Sequence, residues 1–210
     1  MLFSKRLMCS VTLLGASLST YATVGGPQHI EVLGLDQKDQ KIYLLRHFED
    51  GRGRLPQLYY YQLNSKQPTQ LVIVRSLYIN PTTKRIDYDQ DDTQFNKDLA
   101  QIKQRLVKLK PIHISNASIQ LITTLNGTAP SWYDPNESID KWTYQYRVKS
   151  SKYKSQIQSA ITYKEGLKIS AVYQVPQSPY RLVNIKYLGI PFETGYTLED
   201  PVLLKNTSSK

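Results

Sequence analysis

Sulfur is nearly missing from this chain of 210 residues: its one cysteine and two methionines are Cys9, Met1 and Met8. From residue 10 onward there is none, which excludes disulfides, thiolate metal sites and a cysteine nucleophile from that part. Histidine is almost as scarce. His29, His47 and His113 stand far apart with no helical zinc spacing, so no metal and no cofactor is expected. Long apolar runs are lacking too. The best of them, Leu7 to Leu18, is interrupted by Ser10, Thr12 and Ser17 and falls short of the roughly 20 residues that a membrane-spanning helix requires.

What that run does fit is export. Lys5 and Arg6 form a basic n-region, Leu7 to Leu18 an apolar h-region, and Thr20-Tyr21-Ala22 a small-residue cleavage site, so residues 1–22 are expected to be a signal peptide. Cys9 lies only two apolar residues after Arg6, too early for lipid attachment. Cleavage after Ala22 leaves 25 basic against 17 acidic residues, a net charge of +8, with no transmembrane helix. An exported protein of this charge suits a protein partner or an anionic envelope partner such as a phospholipid head group, a lipopolysaccharide phosphate or an acidic glycan. Nucleic acid is not expected among them. The basic residues concentrate at Lys97–Lys110 and Lys141–Lys154.

The remaining pattern is mainly β. Between 29 and 75 four short runs rich in β-branched and aromatic residues, HIEVLG, KIYLLRH, QLYYYQL and TQLVIVR, are separated by turn signals at Asp36–Gln40, Glu49–Pro56 and Asn64–Pro68, which predicts a four-stranded antiparallel meander. Leu58 and Tyr60 point one way and Tyr59, Tyr61 and Leu63 the other, so both faces of that sheet should be covered. With Asp36, Asp39, Lys41, Asp50 and Gly51 at its turns, the segment 32–74 resembles one blade of a TolB-type or WD-type β-propeller. That resemblance implies a recognition scaffold without a particular chemistry. No second copy follows at a fixed period, so a full propeller is not expected. The chain as a whole is similar to uncharacterised secreted or periplasmic proteins of Gram-negative bacteria.

The period then changes. Asn80-Pro81 marks a reversal, and Phe95, Leu99, Ile102, Leu106 and Leu109 repeat at alternating spacings of four and three, predicting one amphipathic helix over about 93–109, stopped by Pro111. Asp87, Asp89, Asp91, Asp92 and Asp98 carry the spacing of a calcium loop but lack its glycine and its long bidentate glutamate. They read instead as helix-start residues, with Asp92 or Thr93 as N-cap. From 112 strands return: Trp142, Tyr144, Tyr146 and Val148 alternate cleanly with Thr143, Gln145, Arg147 and Lys149, and Leu167, Ile169, Ala171, Tyr173 and Val175 repeat the pattern before YRLVNIKYL. The expected fold is thus antiparallel sheet packed with one helix, as a single domain over 23–205, or as two sub-units, 29–75 and 112–205, joined by the helix, with a disordered tail from 206.

Two constellations are candidates for chemistry. The polar connection 126–140 carries Trp132 and Tyr133 beside Asp134 and Asn136, a flat aromatic face with orienting polar groups, as a sugar or peptide site requires. The second is His47 with Glu49 and Asp50, an acid and base set for a hydrolase, although no nucleophile is tied to it by a motif. The first reading is therefore a non-enzymatic, exported β-rich protein that binds a partner or an anionic or glycan ligand. The alternatives are a secreted hydrolase and a subunit that donates or accepts a strand at a sheet edge. Four Asn-x-Ser/Thr sequons, at Asn116, Asn126, Asn136 and Asn206, carry meaning only in a eukaryotic secretory pathway.

Overall fold

A computed structural model describes residues 25–208, so the signal peptide expected at 1–22, Cys9 included, lies outside the described residues. The described chain forms twelve strands and one α-helix: β1 (Gln28–Asp36), β2 (Lys41–Phe48), β3 (Gln57–Gln62), β4 (Leu71–Ile73), α1 (Asp92–Gln104), β5 (Lys110–Ile112), β6 (Ser118–Pro130), β7 (Ser138–Ser150), β8 (Tyr153–Lys154), β9 (Gln158–Thr162), β10 (Lys168–Gln174), β11 (Tyr180–Ile190) and β12 (Tyr196–Asn206). It is mainly β, with every strand pair antiparallel.

The first four strands make the expected meander in the order β1-β2-β3-β4, and a second sheet of eight runs β5-β10-β11-β12-β8-β7-β6 with β9 beside β7. Neither closes into a barrel or a propeller. The two strand regions are therefore separate sheets, and they pack face to face: Ile30, Ile42, Leu44 and Tyr61 of the first share a core with Val175, Leu182 and Leu203 of the second. Tyr61 crosses this interface to donate its hydroxyl to the Pro201 carbonyl at 2.8 Å, and Arg46 reaches Asp200 at 2.7 Å. On the far face of the meander, Leu33, Tyr43, Leu45 and Leu58 receive Phe95 and Leu99 from α1. The alternation in β3 thus feeds two cores, one per face. A third core lies within the larger sheet, where Tyr144, Tyr146 and Val148 of β7 meet Val183, Ile185 and Val202.

Three expectations need correction. The helix, which covers the first sheet, ends at Gln104 instead of about 109. Its backbone is diverted because Val107 pairs with Leu35, N–H to carbonyl in both directions at 2.8 and 2.9 Å. Gly34 permits that approach: at φ 146° a Cβ there would lie 2.7 Å from the Val107 carbonyl oxygen. Leu109 consequently enters the core between the sheets, not the one beneath the helix. The N-cap is Asp91, whose carboxylate accepts from the Thr93 amide at 3.0 Å. Second, the supposed long connection 126–140 is mostly strand, since Asn126–Pro130 pairs with Ser138–Trp142 and only 131–137 turns. Third, the alternation in β10 is broken by a bulge between Ile169 and Ala171, so Val172, not Ala171, continues the buried face. At the C-terminal end, β12 runs to Asn206 and Thr207 donates its amide to Lys152 at 2.8 Å, so order continues past the expected start of the tail.

Candidate functional site

Register on the second sheet creates an unusual row of like charges. Lys154 of β8 is the direct partner of Lys149 on β7 and of Lys205 on β12. Three lysines thus stand side by side across three neighbouring strands, an arrangement that costs stability unless something neutralises it. Beside them Lys66, Arg147, Lys154 and Lys205 line an open groove of about 630 Å³, completed by Gln67, Thr69 and Gln156. The wall carrying Lys66 is the β3–β4 connection of the first sheet, so the groove exists only because the two sheets pack together.

Among the described residues, no carboxylate and no imidazole lines this groove. None of its four cations forms an ion pair with another described residue. The Nε of Arg147 is buried without a hydrogen-bond partner, a condition that native structures resolve with a water, an ion or a ligand. Ser155 is held in place, its Oγ accepting from the Val148 amide at 2.9 Å and donating to the Gln156 carbonyl at 2.6 Å. Chemically, such a groove can hold a polyvalent anion.

The residues singled out from the sequence lie elsewhere. Trp132, Tyr133, Asp134 and Asn136 all occupy the turn between β6 and β7, where Asp134 accepts from both the amide and the side chain of Asn136, at 2.9 and 3.1 Å. Tyr133 donates its hydroxyl to Glu137. These polar groups hold the turn itself. The rings remain about half exposed, with Trp132 edge-on to Tyr133 and Phe192.

His47, Glu49 and Asp50 are separated into three different pairs. His47 meets Glu31 at 2.9 Å, Glu49 meets His29 at 3.0 Å, and Asp50 meets Arg54 at 2.9 Å. The two imidazoles stack at 4.6 Å because His29 and His47 are register partners on β1 and β2. Glu31 sits below its ordinary range: burial pushes it up, but hydrogen bonds from His47 and Lys103 outweigh burial. Among the described residues no hydroxyl is hydrogen-bonded to either ring, and no group of three or more His, Cys, Asp or Glu could hold a metal ion. Asp87 instead accepts from the Asp89 amide and the Asn80 side chain.

The cationic groove was only half visible in the sequence. Arg147, Lys149 and Lys154 fall within the basic concentration at Lys141–Lys154, whereas Lys66 and Lys205 arrive from 81 residues before Arg147 and 51 after Lys154, a proximity that local pattern does not carry. No protein-family model, no curated protein and no solved structure matches the chain, so its function is read from this geometry.

Proposed function

We propose that this is an exported, non-catalytic protein of the cell envelope or extracellular space that binds a phosphorylated or otherwise acidic glycan in the groove between its two sheets. The observation that carries the reading is the in-register row Lys149, Lys154 and Lys205 with Arg147 beside it and no acidic counterpart. Cross-strand repulsion is retained in a folded protein at a cost in stability, and a bound polyanion would reverse its sign. Arg147 offers the planar, bidentate geometry that phosphate and carboxylate oxygens accept, and the three lysines add point charges around it. Gln67, Thr69 and Gln156 can hydrogen-bond sugar hydroxyls along the same groove.

The test is calorimetric titration with a disaccharide bisphosphate, using the unphosphorylated disaccharide as control, at low and high salt. Binding of the bisphosphate alone, weakened by salt and abolished by R147A/K205A, is the expected result. Equal binding of the two sugars, or a double variant that binds like the parent, would overturn the assignment.

A further inference from the structure

The first sheet has two edges and the larger, branched one has three, of which the five-residue β9 is held at its end by the Tyr163 amide on the Leu188 carbonyl; four of the five are short or blocked. β4 and β5 are three residues long, and β5 contains Lys110 and Pro111. The outer side of β1 is occupied by Val107 and by Glu199, whose carboxylate accepts the Ile30 amide at 3.0 Å. The remaining edge, β6, is longer: thirteen residues, no charged side chain, and exposure along almost its whole length. Leu121 and Leu125 are 51 % and 61 % exposed. Soluble proteins normally blunt such an edge with charge, proline or cover, because unpaired N–H and C=O groups invite another strand.

We propose that β6 is a dimerisation edge, paired antiparallel with β6 of a second copy of this chain to continue the larger sheet across a two-fold axis. A bulge between Leu121 and Thr123 interrupts the strand, which leaves Thr123–Ala129 as the uninterrupted run and places the axis at Asn126. In that register Leu125 stands opposite the partner's Gly127 on the same face. A Cβ at Gly127 would meet nothing within 4 Å, so the leucine has open space to fill.

Charge selects the same arrangement. The tip of the β6–β7 hairpin carries Asp134 and Glu137, and its root carries Arg147 and Lys149, the register partners of Gln120 and Ser118. Pairing about Asn126 brings each acidic tip level with the partner's basic root, whereas a parallel pairing would set tip against tip. The two β7 backbones would lie three strand spacings apart, about 14 Å. Long side chains narrow that gap to within the roughly 8 Å over which charges act at physiological salt. An isologous contact of this kind closes at two copies and goes no further.

Sedimentation velocity over a concentration series tests it on the full described chain. A dimer is expected, and N126K, which sets two lysines face to face on the axis at an exposed position, should give a monomer that melts where the parent does once diluted below its dimerisation range and that binds the disaccharide bisphosphate as the parent does. E137K alone should weaken the dimer severalfold, K149E alone likewise, and the two together should restore it. A monomer at every concentration, a dimer that survives N126K, oligomers that grow beyond two, or a monomer whose edge captures an unrelated strand peptide would each overturn self-association. Bisphosphate binding is read on N126K, which leaves Arg147 and the lysine row untouched, so failure of the dimer and failure of the groove are told apart.

Discussion

The chain concentrates its basic residues in two places, and the fold treats them in opposite ways. Within Lys97–Lys110, Lys103 is bonded to Glu31 at 3.1 Å and Arg105 to Asp36 at 2.6 Å, with the Asp36 carboxylate almost wholly buried. Within Lys141–Lys154, Arg147 and Lys154 meet no acid among the described residues, and the fold adds Lys205 and Lys66 to them. The first region uses positive charge to fasten the segment after α1 onto the meander. The second accumulates it. Sequence density of lysine and arginine is the same kind of signal in both cases, so only the position of the carboxylates separates an anchor from a binding surface.

The largest way to break the anchored region is through the backbone that brings it in. Gly34→Ala combines a left-handed φ of 146° with a Cβ placed 2.7 Å from the Val107 carbonyl oxygen. Destabilisation of about 3 kcal/mol is expected, measured by urea unfolding, since strained φ costs about 1–3 kcal/mol and the clash falls on backbone that cannot move away cheaply. The groove lies outside this contact, so the residual folded protein should retain its anion affinity. A loss of affinity in proportion to stability would mean that the two regions are not separable.

The complementary break is in the groove. R147E/K154E should reduce affinity for the disaccharide bisphosphate by about a hundredfold or more, because a charged hydrogen bond is worth about 1.5–3 kcal/mol and each reversal adds repulsion. Melting temperature should hold steady or rise. The same pair of reversals at Lys97 and Lys108 should leave affinity unaltered, and a comparable loss there would show that binding follows net charge rather than the groove.

Most of the first sheet was legible because its alternation is intact: Leu58 and Tyr60 do face the helix, and Tyr61 and Leu63 the other sheet. β7 was legible for the same reason, with Tyr144, Tyr146 and Val148 all buried. Failures came where one residue changes the period or a distant strand claims the backbone. The bulge at Ser170 flips every later side chain in β10, and the pairing of Val107 with Leu35 stops a helix whose spacing runs on to Leu109. The turn residues Trp132 and Tyr133 were conspicuous by composition, yet their polar neighbours serve the turn. The groove depends on which strands become neighbours, and β12 pairs with β8 across the intervening strands β9, β10 and β11.

Acid should separate the regions as well. Asp36 lies below its ordinary 3.8: burial pushes it up, but the Asp39 amide and Arg105 outweigh that and favour the ionised form. Glu31 is likewise held below 4.5. For carboxyls depressed in the folded state, their stabilising contribution is complete above the unfolded values and disappears as pH falls through the lower folded values. Thermal unfolding from pH 7 down to pH 2 should therefore show Asp36→Asn losing less stability on acidification than the parent. Groove affinity should rise modestly from pH 6 to about 7, as the second ionisation of each phosphate (pKa about 6) completes, and then level off, whereas a steep fall with rising pH would implicate a histidine instead of the arginine and lysines.

The smallest effect is also the sharpest, because the comparison rests on its sign. Lys103→Gln removes a partly exposed pair with Glu31, so it should lower stability by no more than about 1 kcal/mol. Lys154→Gln removes the middle charge from the row Lys149, Lys154 and Lys205, so it should raise stability by about 0.5 kcal/mol in the absence of an anion. Both are single lysine neutralisations on a protein of the same net charge, which cancels any general effect of charge on the unfolded chain. Adding the disaccharide bisphosphate should reverse the order, stabilising the parent and the Lys103 variant more than the Lys154 variant. Two substitutions of equal sign, with or without the anion, would place both clusters in the same class and leave the row of lysines as ordinary solvated surface.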